Sequence, residues 1–433
     1  MNRINQEILR LSIPAIVSNI TTPLLGLVDT AITGHMGAAS YIGAIAVGGS
    51  MFSLAYWLMN FLRMGTSGLT SQAYGAQIAG HAADAPKLIL WRALLVGIAL
   101  SAALIVLSPW IADALLYFMD AQPDTSAMAR TYFLIVIFGA PAVLCTYSLT
   151  GWLLGMQDSR APMWMALVTN VANIAASLIL VYGFGLKIEG VAIGTLSAQW
   201  IGLGCGLWLA HRRYRPFAGA MQATWTQLRR GMRRFFSLNT DIFLRTLCLV
   251  AVTLWFTRSG ARSGSDILAA NALLMQLFIL FSYFMDGFAF AGEAMAGKYF
   301  GQGNRPMLSA TIRGIFQWSL GVVILFTLLY GLGGRLILEL LTDDPAVVDT
   351  AMSYLPWAIA VPAAGVMAFV WDGIFIGLTL SRQMLLSMLC ASAVYFLLYF
   401  LLTPTLSNHG LWLSFISYLL TRGLIQSLLY PKK

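Results

Sequence analysis

Ionisable side chains occur within long apolar stretches of this 433-residue chain, where a charge is costly and therefore informative. On insertion scales, a charged residue at the centre of a membrane-spanning helix costs about 2.5–3.5 kcal/mol, so it indicates a functional site or a specific partner. The chemistry open to such residues is proton exchange, cation binding or ion pairing. The residues are Asp29, Arg63, Asp241, Arg245, Asp286, Glu293 and Asp372.

Asp29 is the main candidate for proton exchange. It lies late in the first apolar stretch, in Leu-Leu-Gly-Leu-Val-Asp-Thr-Ala, well away from compensating basic residues. Burial disfavours the charged form of a carboxyl group, which suits a group that binds and releases a proton. The same stretch contains Pro14 and Pro23, and each proline removes a helical hydrogen bond and permits a kink. We therefore predict a titratable group on a helix that can bend; the alternative is a carboxylate held permanently by neighbouring Thr or Asn side chains.

The other charges have structural as well as functional interpretations. Asp241 and Arg245 are four residues apart, share a helix face and are predicted to form a structural ion pair. Asp286 and Glu293 are seven residues apart, also on one face, and either line a C-terminal cavity or bond to neighbouring helices. Asp372 is a further candidate for the wall of that cavity. The four histidines and four cysteines show no metal-ligand spacing, so we expect no metal site.

The elements that must position these residues are predicted to be membrane-spanning helices. Hydrophobic residues make up 59% of the chain and charged residues 10%, whereas a soluble domain carries about 25% charged residues. Twelve stretches reach the length of about 20 residues that a membrane-spanning helix needs. They are 8–34, 40–76, 84–108, 127–155, 160–183, 189–211, 237–258, 265–300, 305–331, 346–378, 382–403 and 410–430. The predicted fold class is all-α integral membrane, with twelve transmembrane helices.

Charge distribution predicts the orientation. If the amino terminus is inside, most Lys and Arg residues fall on inside segments, as the positive-inside rule requires. Both termini are then cytoplasmic, and the expected location is the bacterial inner membrane. The net charge of +9 is explained without nucleic acid as a partner. We expect a monomer embedded in the lipid bilayer.

The chain contains an internal repeat. Gly151, Gly155 and Arg160 recur with the same spacing 222 residues later, and the sequence around Gly75 is echoed around Gly301. The second copies are Gly373, Gly377 and Arg382. A repeat this long in an apolar chain predicts two pseudo-symmetric six-helix bundles with the same orientation in the membrane. We interpret the repeated glycines as sites of tight helix packing and the arginines as headgroup anchors.

The predicted domains are an N-terminal six-helix lobe at 1–211, a basic cytoplasmic linker at 212–235 and a C-terminal six-helix lobe at 236–433. The linker is the longest polar stretch, is rich in arginine and falls where a duplication would be joined. Its favoured role is a connection whose basic face meets lipid headgroups. The alternative is a regulatory or nucleic-acid-binding segment.

Several segments together resemble a known family. Leu-Ser-Ile-Pro near the start, Asp29 late in the first span, and Gly-Met-Gln-Asp-Ser-Arg-Ala-Pro after the fourth span are similar to the multidrug and toxic compound extrusion (MATE) transporters. Asn-Thr-Asp-Ile-Phe-Leu-Arg-Thr and Trp-Asp-Gly-Ile-Phe-Ile-Gly resemble its DNA-damage-inducible F (DinF) branch in particular. The resemblance implies two lobes and export of amphipathic, often cationic, compounds against inward proton or sodium flow.

The resemblance also implies a proton site in the N-terminal lobe, centred on Asp29. Polar residues on the fifth and sixth helices surround this position in relatives, and Asn173 is followed four residues later by Ser177 where many relatives have Asp. Residues in similar places here are Asn170, Asn173, Ser177, Thr195 and Ser197. The seventh helix shows no clear match to the glutamate associated with sodium coupling. The first departure leaves Asp29 to act nearly alone as the proton site, and the second favours protons over sodium.

The resulting prediction is a proton-coupled multidrug antiporter that works by alternating access and needs no resident cofactor. The alternatives are a flippase for lipids or lipid-linked glycans, with a related twin-bundle architecture, and a Na+-coupled exporter. A membrane-embedded enzyme is disfavoured, because the spans contain no convincing set of nucleophile and base.

Overall fold

The computed structural model describes residues 3–34, 39–81, 86–119, 123–215 and 225–431; it leaves out the side chains of residues 22–31, 33 and 34 in α1, and those of residues 39, 40, 42, 118 and 225. Every regular element in these ranges is helical. The helices are α1 (Arg3–Gly34), α2 (Ala39–Met59), α3 (Phe61–Ile78), α4 (Pro86–Met119), α5 (Pro123–Val136), α6 (Ala140–Gly155), α7 (Arg160–Leu178), α8 (Ile188–Tyr214), α9 (Trp225–Arg230), α10 (Met232–Arg262), α11 (Ser265–Gly301), α12 (Arg305–Leu341), α13 (Pro345–Gly377) and α14 (Ser381–Leu429).

The described residues contain ten helical segments that are long and apolar enough to cross a membrane. One of them, α14, has 49 residues and consists of two helices joined at a kink, where Ser407 has a φ of 49° three residues after Pro404. Its two parts correspond to the predicted eleventh and twelfth spans. With α1, a helix of 32 residues, the count reaches twelve. The predicted fold class is confirmed.

The chain divides into two compact units that do not coincide with the sequence halves. We call Val17–Phe236 the N-unit, and Met1–Ile16 together with Ser237–Lys433 the C-unit. The predicted lobe boundary at 211 and the linker at 212–235 differ from this division in two ways. The start of α1 groups with the C-unit, and the described linker residues group with the N-unit.

Contacts within the C-unit explain why the start of α1 belongs there. Gly287 of α11 lies against α1, and a Cβ atom at this glycine would be only 3.0 Å from the carbonyl oxygen of Ser12. Nearer the amino terminus, the Glu7 carboxylate accepts a hydrogen bond of 3.0 Å from the Tyr299 hydroxyl and pairs with Lys298 at 3.5 Å. Close backbone packing and a polar contact thus hold this part of α1 to α11.

The repeated glycines pack helices together in the N-unit. A Cβ atom at Gly151 of α6 would lie 3.0 Å from the carbonyl carbon of Arg63 on α3, and one at Gly155 would lie 2.9 Å from the carbonyl oxygen of Ser67. Only a residue without a side chain fits such a close approach of two backbones.

The same contact recurs in the C-unit, between α13 and α11. A Cβ atom at Gly373 would lie 2.7 Å from the carbonyl carbon of Ala289, and one at Gly377 would lie 2.9 Å from the amide nitrogen of Gly297. After each pair, the chain turns through a left-handed residue, Gln157 (φ 66°) in the first copy and Thr379 (φ 55°) in the second. The prediction that the repeated glycines serve tight helix packing is confirmed.

Candidate functional site

The predicted proton-exchange residue lies on α1, whose backbone is helical at both Asp29 and Pro23. The side chains of these two residues lie outside the described residues. Pro14, the other predicted hinge residue, is buried in the C-unit, two residues before α1 changes from one unit to the other. Because proline has no backbone N–H, the helical hydrogen bond that position 14 would donate is missing there. The backbone hydrogen bonding of α1 is therefore weakened close to the point, between Ile16 and Val17, where the helix passes from the C-unit to the N-unit.

Within the N-unit, α7 contacts α1 through Asn170. Its side-chain Nδ2 donates a hydrogen bond of 3.1 Å to the backbone carbonyl of Thr21. The Thr21 hydroxyl in turn donates to the carbonyl of Ser18 at 2.8 Å. The contact lies two residues before Pro23, so the polar face of α7 adjoins α1 close to its second proline.

Asn173 lies one turn further along α7 and bonds to α8. Its Nδ2 donates to the Thr195 hydroxyl at 2.9 Å, and that hydroxyl donates to the carbonyl of Val191 at 3.0 Å. Asn173 and Ser177 are fully buried, and neither Asn173 Oδ1 nor Ser177 Oγ has a hydrogen-bond partner among the described residues. Buried acceptors normally have a donor, so these two oxygens suit a water molecule or the hydroxyl of a protonated carboxyl group.

Three glycines on one face of α8 allow it to lie directly on α7. Gly194 faces Ser177, Gly202 faces Thr169 and Gly206 faces Met165, so the residue numbers fall on one helix as they rise on the other. This antiparallel packing brings Thr195 next to Asn173. Ser197 is half-buried and lies about 200° around α8 from Thr195, so it is on a different face.

The C-unit contains a buried cluster of charges centred on Asp372 of α13. One carboxylate oxygen, Oδ2, accepts hydrogen bonds from the guanidinium groups of Arg245 on α10 and Arg422 on α14. The other oxygen, Oδ1, accepts from Gln426 Nε2 at 2.6 Å. All four residues are at least 90% buried, so three helices are tied together through one carboxylate.

The predicted ion pair between Asp241 and Arg245 is wrong, because the structure gives each residue a different partner. Arg245 turns inward to Asp372, whereas Asp241 is half-buried near the start of α10 and accepts a hydrogen bond of 2.6 Å from the Ser381 hydroxyl. A buried guanidinium needs an equally buried acceptor. Asp372, on a neighbouring helix, meets that need better than a carboxylate on the same helix.

The other two C-unit carboxylates lie on α11. Asp286 is half-buried and lies close enough to Arg245 and Arg422 to interact electrostatically with both. Glu293 is 1% exposed, and its backbone carbonyl faces Gly377 at the repeated glycine contact. The structure therefore joins Asp286 and Asp372 in one electrostatic group.

Sequence reasoning missed Arg422 and Gln426 as members of this group. Both lie in the last apolar stretch, four residues apart, and both are buried. The positive-inside count treats Arg422 as a basic residue on the cytoplasmic side. A signal was present, because a cation and an amide on one face of an apolar helix indicate a shared buried acceptor. Among the described residues, no group of three or more His, Cys, Asp or Glu side chains could hold a metal ion.

Two repeated helical units, membrane-spanning helices and buried polar clusters within the units define a helical membrane transporter. A comparison with family models agrees, since the model described as MatE matches residues 14–179 and 242–401. The DNA damage-inducible protein F of Escherichia coli strain K12 is 39% identical over 417 residues, which cover 96% of this chain and 89% of that protein. The chain belongs to the MATE family of multidrug and toxic compound extrusion transporters.

Solved structures show the same fold. One, described as MATE in the bent conformation, has a TM-score of 0.84 at 15% identity. The alignment covers 99% of this chain and 94% of the chain in that structure. Another, described as MATE in the straight conformation, has a TM-score of 0.82 at 16% identity. The alignment covers 99% of this chain and 95% of the chain in that structure. Family membership makes this chain a multi-pass membrane transporter that exports toxic compounds, not an enzyme.

Proposed function

We propose that this transporter is a proton-coupled antiporter, in which protonation of Asp29 drives release of an amphipathic, often cationic, compound. The observation that carries the proposal is the division of α1 between the two units. A change of charge at Asp29 acts on a helix that belongs to both. Pro14, beside the division, gives that helix a point at which it can bend.

The polar face of α7 supports a proton site in the N-unit. The first and fifth spans cross the membrane in the same direction, because spans alternate. Asn170 contacts α1 at Thr21, and Asp29 lies eight residues beyond Thr21, about 12 Å along the helix. A similar distance along α7 separates Asn170 from Ser177, so Asp29 and Ser177 lie at about the same depth in the membrane. A protonated Asp29 at that level is a donor suited to the Asn173 amide oxygen, which only accepts, whereas its carboxylate is not; the Ser177 hydroxyl can bond to either form.

The proposed cycle has four stages. In the outward-open state, a proton neutralises Asp29, α1 bends and the bound compound leaves. The transporter then reorients inward. Asp29 releases the proton to the cytoplasm and a new compound binds, after which the loaded transporter returns to the outward-open state. A cationic substrate gains from the carboxylate and loses that gain on protonation, so proton and substrate disfavour each other. Relatives have been solved in conformations described as bent and straight, which is compatible with bending of a helix in this fold.

The hydrogen bonds of Asp372 argue against sodium binding at this carboxylate. Both oxygens of this carboxylate already accept hydrogen bonds, from Arg245, Arg422 and Gln426. Sodium binding there would require displacement of two buried cations, each of which would lose its partner. Asp372 is therefore a poor sodium ligand.

Transport in proteoliposomes under an imposed pH gradient tests the proposal. We expect the native chain to move a cationic dye in exchange for protons, and Asp29→Asn to lose this gradient-driven transport while remaining folded. Asp266→Asn, which changes an exposed carboxylate at the start of α11, is the matched control and should transport normally. A sodium gradient alone should drive no dye transport. Equal dye transport by native protein and Asp29→Asn would exclude Asp29 as the coupling residue.

We also infer that the protein lies in the bacterial inner membrane with both termini in the cytoplasm. The support is the concentration of Lys and Arg on one side of the alternating spans. Fusion of a reporter that is active only in the cytoplasm to the C-terminus should give a signal. A signal from a periplasm-specific reporter at the same position would show that the opposite orientation is correct.

A further inference from the structure

The short helix α9 is held in place by a buried arginine. Arg92 of α4 is 3% exposed, and its Nε and Nη2 donate hydrogen bonds to the carbonyl oxygens of Leu228 (3.0 Å) and Gln227 (2.9 Å). A guanidinium at the carboxyl end of a helix satisfies its free carbonyls and matches its dipole. Gly231 then packs on this group, because a Cβ atom there would lie 2.6 Å from Arg92 Nη2. The segment after α9 is thus fixed to α4.

The first turn of α10 has its own anchors in the N-unit. Phe235 is 1% exposed and packs among the buried residues Leu62 and Leu144. Arg234 donates a hydrogen bond of 3.2 Å to Gln72 Oε1 on α3. Residues 225–236 are therefore held to the N-unit by contacts at both ends.

The segment 225–236 carries four exposed arginines. We call them the basic ledge: Arg229, Arg230, Arg233 and Arg234, all of which are exposed. The sequence contains no Asp or Glu between Glu189 and Asp241, so no carboxylate nearby in the chain offsets their charge. An open surface depression of about 550 Å³ lies against Thr226, Gln227, Arg229 and Arg230, whose side chains carry a hydroxyl, an amide and two guanidinium groups. Such donors suit a phosphate group.

The ledge lies where a headgroup would be. Its arginines lie on both sides of Met232, the first residue of the membrane-spanning segment Met232–Arg262. Phe236 is 51% exposed and lies three residues after Arg233, so the two side chains share an outward face of α10. An arginine beside an exposed aromatic ring is typical of the boundary between phosphate headgroups and acyl chains.

We propose that the basic ledge is a binding site for the phosphate groups of anionic phospholipids, in preference to zwitterionic ones. Arg92 is a positioning residue in this proposal: it does not meet the lipid but holds α9 and Gly231 so that the ledge keeps its shape. The partner is a bilayer lipid and not a soluble phosphate, because the ledge continues into an exposed apolar side chain at the start of a span.

Native mass spectrometry of the purified full-length chain tests the proposal, with phosphatidylglycerol and phosphatidylcholine titrated separately. The variant is Arg229→Gln with Arg230→Gln. The matched control is Arg258→Gln with Arg262→Gln, which removes the same charge from exposed positions at the other end of α10. An arginine near an anionic membrane surface changes affinity by about fivefold. We therefore expect the ledge variant to bind phosphatidylglycerol at least tenfold more weakly than the control.

Three further results are expected. Replacement of the same two arginines by lysine should retain most of the binding, phosphatidylcholine should bind equally to all variants, and millimolar inorganic phosphate should not displace the lipid. Arg92→Gln should weaken phosphatidylglycerol binding although every ledge arginine remains. Equal losses in ledge variant and control, or displacement by inorganic phosphate, would overturn the proposal. Ledge-dependent binding of a short RNA with no lipid preference would assign the surface to nucleic acid instead.

Discussion

Asp372 shows how much of a buried residue's importance depends on its partners. Its carboxylate stabilises two guanidinium groups that have almost no access to water. Removal of one member of a buried charge cluster leaves the others uncompensated, which costs about 3–5 kcal/mol. We therefore expect Asp372→Asn to destabilise the C-unit strongly, measured as a lower midpoint of thermal aggregation in detergent.

The control for Asp372 is a surface pair. Asp113 pairs with Arg130 at 2.8 Å, with side chains 62% and 42% exposed. Exposed pairs contribute about 0–1 kcal/mol, so Asp113→Asn should leave the midpoint almost unchanged. Similar midpoints for the two variants would show that the cluster at Asp372 contributes little to folding.

The partners of these charges set the limit of prediction from sequence. Helical periodicity ranks residues four apart as neighbours, and it therefore suggests Asp241 for Arg245. The actual partner is 127 residues away, on a helix whose position depends on the packing of the whole unit. The hydrogen bond between Asn173 and Thr195 likewise joins two helices, across 22 positions of the chain. No local pattern in α7 or α8 predicts their contact.

At the scale of elements, the repeated glycines carry a prediction of their own. Gly373→Ala would place a methyl group 2.7 Å from the Ala289 carbonyl carbon, so α13 and α11 would have to separate. Overpacking of this kind costs about 1–3 kcal/mol. Gly321→Ala on α12 is the control, because nothing lies within 4 Å of that position.

Alanine is favoured over glycine in a helix by about 1 kcal/mol, so the control should be neutral or stabilising. The two substitutions are chemically identical and should shift the thermal midpoint in opposite directions or by clearly different amounts. If Gly373→Ala is as well tolerated as Gly321→Ala, the close contact between α13 and α11 is not needed for stability.

Pro14 gives a second prediction at this scale. Pro14→Ala restores a backbone N–H in the first half of α1 and should straighten and stiffen the helix beside the division between the units. We expect several-fold slower dye transport with unchanged expression. Pro404→Ala, at the kink of α14 within the C-unit, serves as a control for general effects of proline removal. Transport at the native rate in Pro14→Ala would show that α1 does not bend at this position.

Helix positions and the repeat were predictable because both depend on local composition. Apolar stretches of sufficient length mark the spans, and the spacing of glycines marks the contacts between them. The division of α1 was not predictable, because it depends on Gly287 and Glu7 meeting residues that are hundreds of positions away. The predicted boundary at the polar linker separates the two copies of the sequence repeat, whereas the two structural units are separated according to which helices pack together.

At the scale of the whole molecule, the two units share a scaffold but differ in chemistry. The glycine contacts of α3 with α6 recur between α11 and α13. The two sites described above do not recur: Asp372 in the C-unit bonds to two arginines, whereas the oxygens of Asn173 and Ser177 in the N-unit are neutral and have no hydrogen-bond partner among the described residues. Balanced charges hold a structure together. Neutral acceptors beside a helix with an acidic residue suit a proton that comes and goes.

This difference predicts which unit senses pH. If one proton and one cationic dye exclude each other at Asp29, the dye's dissociation constant should rise as pH falls, with a limit of tenfold per pH unit. Fluorescence polarisation of a cationic dye in detergent measures this slope. Asp29→Asn removes the titrating group, so its binding should be weak and independent of pH. Asp286→Asn changes the half-buried carboxylate of the C-unit and should keep the native slope. The opposite pattern, a flat response in Asp286→Asn and a native slope in Asp29→Asn, would move the coupling site to the C-unit.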